Sequence, residues 1–252
     1  MDVTSCLLDF FYGEPTSSWR PPLINRRTAA FAAITLSFLY VASGCGDSAT
    51  QGSDLNTEWR LVDETDGIAT YWRHRADSRQ KTFRGVGTFA SERPFAVLSA
   101  MGSGDLAAYF ESVARIDVLE EDPSGRWVSH TKVNLPWPAE DRELYVEARL
   151  QQDPETYEAV LTFESVNERY PATEGVQQIP EYKGALRVLP LDGGRVRLSL
   201  EMVCDPGEPI PAALTDRLTR SMPYYALRYM QGVMARPENQ NYVLPLLREP
   251  GT

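Results

Sequence analysis

The chain has 252 residues, of which 42% are hydrophobic and 24% charged, and its formal net charge is −10. This composition is that of an ordinary globular protein, with enough chain to bury a sizeable core. The acidic balance argues against nucleic acid as a partner and against docking on anionic lipid by bulk charge, because both require the opposite sign.

The first 45 residues have the character of a leader. The basic patch Asn25-Arg26-Arg27 precedes an uncharged apolar run over 29–41, and the small residues Ala42-Ser43-Gly44 then lead to Cys45. A basic segment, a short apolar segment and a small-residue exit are typical of a secretory signal. Residues 1–24 do not resemble the start of a signal, which suggests the hypothesis that translation begins near Leu23.

A flexible tether is predicted over 46–54, which is rich in Gly, Ser, Asp and Gln and shows no periodicity. The ordered body, residues 55–236, begins near Trp59. Helices are predicted from Pro94 and over 105–110, and Asp192-Gly193-Gly194 predicts a hairpin turn. Alternation of apolar and polar residues predicts strands over 67–73, 82–89, 116–120, 127–133, 144–150, 157–166, 182–189 and 196–202.

The last long segment, 212–234, has the spacing of a helix, with Pro211 suited to its first turn and Pro223 expected to kink its middle. Residues 237–252 follow as a C-terminal tail. One helix cannot cover a wide curved antiparallel sheet, so either side chains fill the space or a cavity remains, and the pattern leaves both open. The apolar residues at helical spacing are Leu214, Leu218, Met222, Tyr225, Tyr229 and Val233.

Two motifs carry a family resemblance. Pro136-Trp137-Pro138 with Asp141-Arg142 leads into a predicted strand, and Asp205-Pro206-Gly207 with Ile210-Pro211 opens the last helix. Together they resemble the StAR-related lipid-transfer (START) domain, and weaker likenesses follow the family's order from Trp59 to about Met234. The resemblance implies an α+β helix-grip fold, in which a curved antiparallel sheet wraps on a long C-terminal helix and encloses a hydrophobic tunnel.

The same resemblance implies non-catalytic binding of a sterol or phospholipid in the tunnel, with transfer or presentation at a membrane and without a cofactor. Candidate polar anchors for the lipid head are Arg142, Arg149, Arg187 and Glu201, and a candidate gate is Trp137 with Pro138. Each also has a plain interpretation as core, surface charge or rigid turn. The candidate tunnel lining is Val146, Ala148, Leu198, Leu200, Met202, Leu214, Leu218, Met222, Tyr225 and Tyr229.

The end of the leader resembles the bacterial lipobox, in which the cysteine carries a diacylglycerol. The resemblance makes Cys45 the lipidation site, and Gly46 after it implies delivery to the outer membrane. We therefore expect an exported lipoprotein on the periplasmic side of that membrane. Nine tether residues reach at most about 30 Å, so a partner transport protein across the gap is a possible requirement.

Other chemistry has little support in the sequence. His74 and His130 are distant and lack metal-ligand spacing, so no metal site is expected. Gly85-x-Gly87 lacks the third glycine of a phosphate loop, and no Gly-x-Ser-x-Gly elbow occurs. Cys204 is interpreted as a small buried apolar residue. Two alternatives to lipid transfer stay open: a cyclase-like enzyme that uses the same cavity, and a lipid-sensing or scaffolding lipoprotein.

Overall fold

The computed structural model describes residues 58–75, 78–101, 113–134, 140–207, 212–237, 239 and 244–250. The leader with Cys45, the tether, the candidate gate Trp137-Pro138 and the predicted helix over 105–110 lie outside these residues. So do the side chains of Leu214 and Leu218, although both residues belong to a described helix.

The described strands form one ten-stranded sheet, antiparallel except where β8 pairs with β6. The strand order across the sheet is β1-β2-β3-β10-β9-β7-β6-β5-β4, so β1 and β4 are the edges. In chain order the strands are β1 (Arg60–Thr65), β2 (Ile68–Arg75), β3 (Ser78–Ala90), β4 (Val113–Asp122), β5 (Arg126–Val133), β6 (Arg142–Gln152), β7 (Ala159–Ser165), β8 (Gln177–Gln178), β9 (Glu181–Leu191) and β10 (Arg195–Asp205).

Each strand predicted from alternation is present, with ends that differ by a few residues. The predicted turn is also present: Gly193 and Gly194 have φ values of 73° and 63° between the paired strands β9 and β10. This left-handed backbone matches the twist of the flanking strands, which is why glycine is favoured there. The short strand β8 was not predicted, because two residues give no measurable periodicity.

One long helix, α1 (Ala212–Ala235), follows the sheet and contains Pro223. It packs on β2, β3, β10 and the 3-10 helix Pro94–Met101. A Cβ added at Gly85 would lie 3.0 Å from Pro223 Cβ and 3.1 Å from Leu227 Cδ1, so glycine lets the helix approach the sheet closely. Within the described ranges, no helix is both long and apolar enough to cross a bilayer.

Alternation gives the sheet an inner face toward α1 and an outer face. Leu198 and Leu200 of β10 are buried on the inner face, as are Val146 and Ala148 of β6, whereas Arg197 of β10 is exposed on the outer face. One hydrophobic cluster joins these inward residues to α1 through Leu227, Met230 and Met234. The core therefore lies between the inner face and the helix.

The C-terminal tail is part of the fold. Leu247 is buried in the main core cluster. The Gln152 side chain donates to Arg248 O at 3.0 Å, and Arg248 N donates to Gln152 Oε1 at 2.8 Å. These bonds fasten the tail to the end of β6, on the side where β6 turns into β7.

Candidate functional site

The predicted tunnel residues of the sheet lie on its inner face. Val146, Ala148, Leu198, Leu200 and Met202 all point to the same side and are buried. Strand alternation alone produces this arrangement, since every second residue faces the same way.

The predicted helix residues have less uniform surroundings. Tyr229 is buried, whereas Met222 is half-buried and packs against the core cluster. Tyr225 is half-buried and contacts Tyr224 edge-on, with 5.1 Å between ring centroids. The atoms nearest to a Cβ added at Gly85 of β3 belong to Pro223 and Leu227.

Tyr182 of β9 and Cys204 of β10 stand out on the inner face. They are cross-strand partners in the antiparallel ladder. The Tyr182 ring stacks on Phe163 of β7 with 5.1 Å between centroids. Both side chains remain half-buried and pack against the main core cluster.

Protein surrounds both polar groups. Burial raises the pKa of the Cys204 thiol to about 12 and raises the pKa of the Tyr182 hydroxyl well above its usual range. Both side chains are nevertheless partly exposed, which indicates accessible space beside them. We refer to Tyr182 and Cys204 as the wall of this space.

On the β5 to β10 side of this wall the inner face carries little charge, whereas Lys81 of β3 also faces inward at this end of the sheet. From β5 through β10, leaving out the short β8, the described inward side chains are neutral except for that of Arg142. Those nearest to the wall are Val146, Ala148, Phe163, Leu200 and Met202. An apolar lining with few polar groups is typical of sites for hydrophobic small molecules.

Arg142 is the charged exception, and it is almost fully buried. Its guanidinium donates to Pro206 O at 3.0 Å and to Glu140 O at 2.7 Å. Burial lowers the pKa of this group, and the nearby Glu140 and Asp141 charges oppose that effect. Arg142 thus fastens the entry to β6 to the connection between β10 and α1, the two segments that carry the family-like motifs.

The other three candidate anchors lie on the outer face. Arg149 is 57% exposed and pairs with Glu147, and Arg187 is 52% exposed and pairs with Glu158. Glu201 lies between Arg73 and Arg84, at 2.7 and 2.6 Å. None of the three faces the space between sheet and helix, because each is one residue out of phase with the inward set on its own strand.

The outer face of β6 holds a buried carboxylate that the sequence analysis did not single out. Glu147 accepts hydrogen bonds from Arg126, Arg149 and Arg169, at 3.0, 2.8 and 2.6 Å. Burial alone would raise the pKa of Glu147, but these arginines lower it to about 2. The carboxylate stays ionised and joins β5 and β6 to the chain after β7.

A second buried carboxylate, Glu143, lies four residues before Glu147 on the same face of β6. It accepts from Thr173 N at 2.7 Å and Thr173 Oγ1 at 2.6 Å, and lies 3.0 Å from His130 Nε2. Burial opposes the ionisation of Glu143, yet the bonds from Thr173 and His130 leave its pKa below the usual value. The rings of His130, Tyr145 and Tyr170 stack beside it.

These contacts define an outer lock, which consists of Glu143, Glu147 and the segment 166–180 that folds over them. Only one signal in the sequence points to it: β6 has acids and a tyrosine on the face opposite its apolar residues, at Glu143, Tyr145 and Glu147. That pattern ordinarily indicates a solvated face, so periodicity cannot predict its burial.

An open groove of about 340 Å³ lies beside the outer lock. Acidic and basic side chains are mixed along it, and the Glu147 carboxylate at its edge is already satisfied by arginines. Among the described residues, no group of three or more His, Cys, Asp or Glu is placed to hold a metal ion. The groove is lined by Glu147, Arg149, Thr162, Phe163, Glu164, Lys183 and Gly184.

Solved structures with the same architecture are StAR-related lipid-transfer proteins. A STAR-related lipid transfer protein from Xanthomonas axonopodis has 21% identity and a TM-score of 0.63, covering 71% of this chain and 99% of that chain. Human STARD10 has 12% identity and a TM-score of 0.61, covering 74% and 77%. Human StAR-related lipid transfer protein 5 has 16% identity and a TM-score of 0.60, covering 71% and 87%.

Sequence comparison alone is less informative. An uncharacterized protein of Pseudomonas aeruginosa is 21% identical over 180 residues, which cover 70% of this chain and 87% of that protein. No family model matches the chain. The structural likeness confirms the expected fold: the chain has the helix-grip fold of the StAR-related lipid-transfer domain, with a curved antiparallel sheet and one C-terminal helix.

Proposed function

We propose that the domain binds a hydrophobic lipid, a sterol or a phospholipid, between the inner face of the sheet and α1. The observation that carries the proposal is the position of Tyr182 and Cys204 on the apolar inner face, where both pack against the core cluster and yet stay partly exposed. The shared fold with lipid-transfer proteins supports the same conclusion.

The chemistry of the inner face suits such a ligand. Each methylene group removed from water stabilises the complex by about 0.8 kcal/mol, so a long acyl chain or sterol ring leaves a membrane only for a matching apolar space. Phe163, Val146 and Met202 offer apolar contacts near the wall. The Tyr182 hydroxyl is a neutral donor and acceptor that can meet a lipid hydroxyl or carbonyl.

From β5 to β10, apart from β8, the described inner face fits binding without catalysis better than it fits a cyclase, although His74 of β2 and Lys81 of β3 also face inward. A cyclase would need titratable groups that converge on the ligand and change protonation near neutral pH. Burial keeps the Cys204 thiol and the Tyr182 hydroxyl protonated at neutral pH. The Arg142 guanidinium is occupied by backbone carbonyls. The remaining inward groups of β5 to β10, apart from β8, do not titrate.

We further propose that the protein is a lipoprotein, anchored through Cys45 on the periplasmic side of the outer membrane. The basic, apolar and small-residue segments before Cys45 support this. With so short a tether, the domain takes lipid from, or presents it to, the membrane that holds it. A partner transport protein would then carry the lipid across the compartment.

The test is mass spectrometry of an organic extract from the full chain, purified without added lipid. We expect one dominant lipid class in the wild type and a several-fold lower amount in Cys204→Phe, where the ring occupies the proposed space. Thr162→Phe is the matched control, because Thr162 is exposed on the outer face of β7. An extract free of lipid, or equal loading in Cys204→Phe, would overturn the proposal, and a polycyclic aromatic product instead of lipid would favour the cyclase.

A further inference from the structure

One hairpin is basic, whereas the chain as a whole is acidic. Between positions 71 and 84 there are five basic residues and a single acid, Asp77, in a chain whose net charge is −10. Of these positions, 71–75 belong to the end of β2 and 78–84 to the start of β3. The basic residues are Arg73, Arg75, Arg79, Lys81 and Arg84.

On the outer side of this hairpin, two arginines lie over the ring of Trp59. The Arg84 guanidinium lies 4.0 Å from the centroid of the Trp59 ring, and the Arg73 guanidinium lies 4.4 Å from it. Both arginines pair with the same carboxylate, Glu201. One negative charge is shared between two positive charges, so the group keeps a net positive charge at a surface where all three side chains are about one-third exposed.

On the inner side of the hairpin, basic side chains likewise lie over the ring of Trp72. Arg60 lies 5.2 Å and Lys81 lies 5.3 Å from the centroid of its ring. The His74 ring meets the Trp72 ring edge-on, with 4.8 Å between the ring centroids. On the outer face at this end, Glu181 pairs with Arg75 and Lys183, at 2.8 and 2.7 Å, and its cross-strand partner is Asp205.

The hairpin lies at the same end of the sheet as the proposed lipid wall. Phe83 pairs with Met202, the next inward residue of β10 is Cys204, and the preceding inward residue of β3 is Lys81. Twelve residues separate Cys45 from Glu58 in the sequence. Twelve residues span about 40 Å when fully extended, so the proposed lipid on Cys45 would hold this end within about that distance of the membrane.

We propose that this end of the sheet docks on the headgroups of an anionic phospholipid membrane. The docking surface, called here the basic–aromatic patch, consists of Trp59, Arg60, Trp72, Arg73, Lys81 and Arg84. The inference rests on the proposed lipid-binding function. It adds which kind of membrane the domain binds and which part of the domain contacts that membrane.

Physical chemistry favours a bilayer over an acidic protein as the occupant. Tryptophan prefers the headgroup level of a membrane, where its ring is partly buried and its N–H meets water. Arg and Lys stems pack along apolar rings while their charges reach phosphate. Each cation near an anionic surface raises partitioning about five-fold. Salt screens the charges that lie further from the membrane than the Debye length. A local basic patch can therefore bind anionic lipid although the net charge of the chain is negative.

The test uses the full chain with Cys45→Ser, so that no attached lipid contributes to binding. Flotation with phosphatidylcholine vesicles, with and without phosphatidylglycerol, measures the preference for anionic membrane. We expect the wild-type patch to favour the anionic vesicles, and Arg60→Glu/Lys81→Glu to lower that preference at least ten-fold. Arg195→Glu/Arg197→Glu makes the same charge change on exposed residues at the other end of β10 and should keep most of the preference.

Three outcomes overturn the docking proposal: no anionic preference in the wild type, an unchanged preference in Arg60→Glu/Lys81→Glu, or an equal loss in the control. An acidic protein partner would give the second of these. The lipid extract of each variant, measured alongside, reports the proposed function separately. Wild-type protein without bound lipid refutes lipid binding whatever its vesicle preference, whereas lipid-loaded protein with an unchanged preference refutes only the patch.

Discussion

The two faces of β6 are both buried, but for different reasons. On the inner face, Val146 and Ala148 are neutral and apolar, and the neighbouring strands lead to the accessible space at Tyr182 and Cys204. On the outer face, Glu143 and Glu147 are charged and accept hydrogen bonds from groups on at least two other chain segments.

The outer face is held rigidly, whereas the inner face can adapt to what it contacts. The outer lock fixes the segment 166–180 against the sheet through directional, charge-assisted bonds, which tolerate little displacement. Apart from the hydrogen bonds of Arg142 and Gln152, the inner face makes mainly non-directional contacts, so under the proposed function one lipid tail could replace another there at little cost. We infer that the outer lock keeps the segment 166–180 in place, whereas the inner face can adapt to a ligand.

The largest expected effect comes from removing the central charge of the outer lock. Glu147→Gln leaves Arg126, Arg149 and Arg169 without their shared carboxylate, and we expect the free energy of unfolding to fall by about 3 kcal/mol. Urea denaturation measures this. Glu164→Gln is the matched control, because Glu164 is the exposed cross-strand neighbour of Glu147 on the same face. It should change stability by less than about 0.5 kcal/mol.

Acid should weaken the same lock. The pKa of Glu147 is about 2 in the folded protein and about 4.5 in an unfolded chain, so its contribution is complete above about pH 4.5 and is lost as pH falls toward 2. By linkage this amounts to about 3 kcal/mol. The unfolding free energy of the wild type should therefore approach that of Glu147→Gln over this range. Two curves that stay parallel would show that Glu147 is not the titrating group.

Comparing two substitutions at inward positions distinguishes a packed core from an open space. Val188→Phe adds volume at a fully buried inward position of β9, so overpacking should cost about 1–3 kcal/mol. Cys204→Phe adds more volume on the paired strand but enters the proposed space, and we expect it to cost less than 1 kcal/mol. Thermal or urea unfolding distinguishes the two. Equal destabilisation would mean that side chains already fill the region beside Cys204.

The smallest effect concerns the C-terminal tail. Gln152→Ala removes the two bonds with Arg248 and a third to Tyr157 O, and we expect a loss of about 1 kcal/mol. Gln151→Ala, at an exposed position on the opposite face, should be nearly neutral. Limited proteolysis should release the tail faster in Gln152→Ala. Equal cleavage rates in the two variants would refute the fastening role of these bonds.

Much of the fold was predictable because its signals are periodic. Alternation placed Val146 and Leu198 on a common face, and helical spacing gave α1 within one residue at its end. The outer lock was not predictable, because burial of Glu147 depends on a distant segment that brings Arg169 over it. The depth of Tyr182 and Cys204 likewise depends on neighbouring strands and the helix together, so no local pattern indicates it.

The most direct test of the account is to locate the lipid. Full-length protein would be loaded with a phospholipid or sterol that carries an alkyl diazirine, irradiated, and mapped by tandem mass spectrometry. We predict adducts on the inner wall, at Tyr182 and Cys204. Adducts confined to the outer groove, at Thr162, Glu164 and Lys183, would contradict the account.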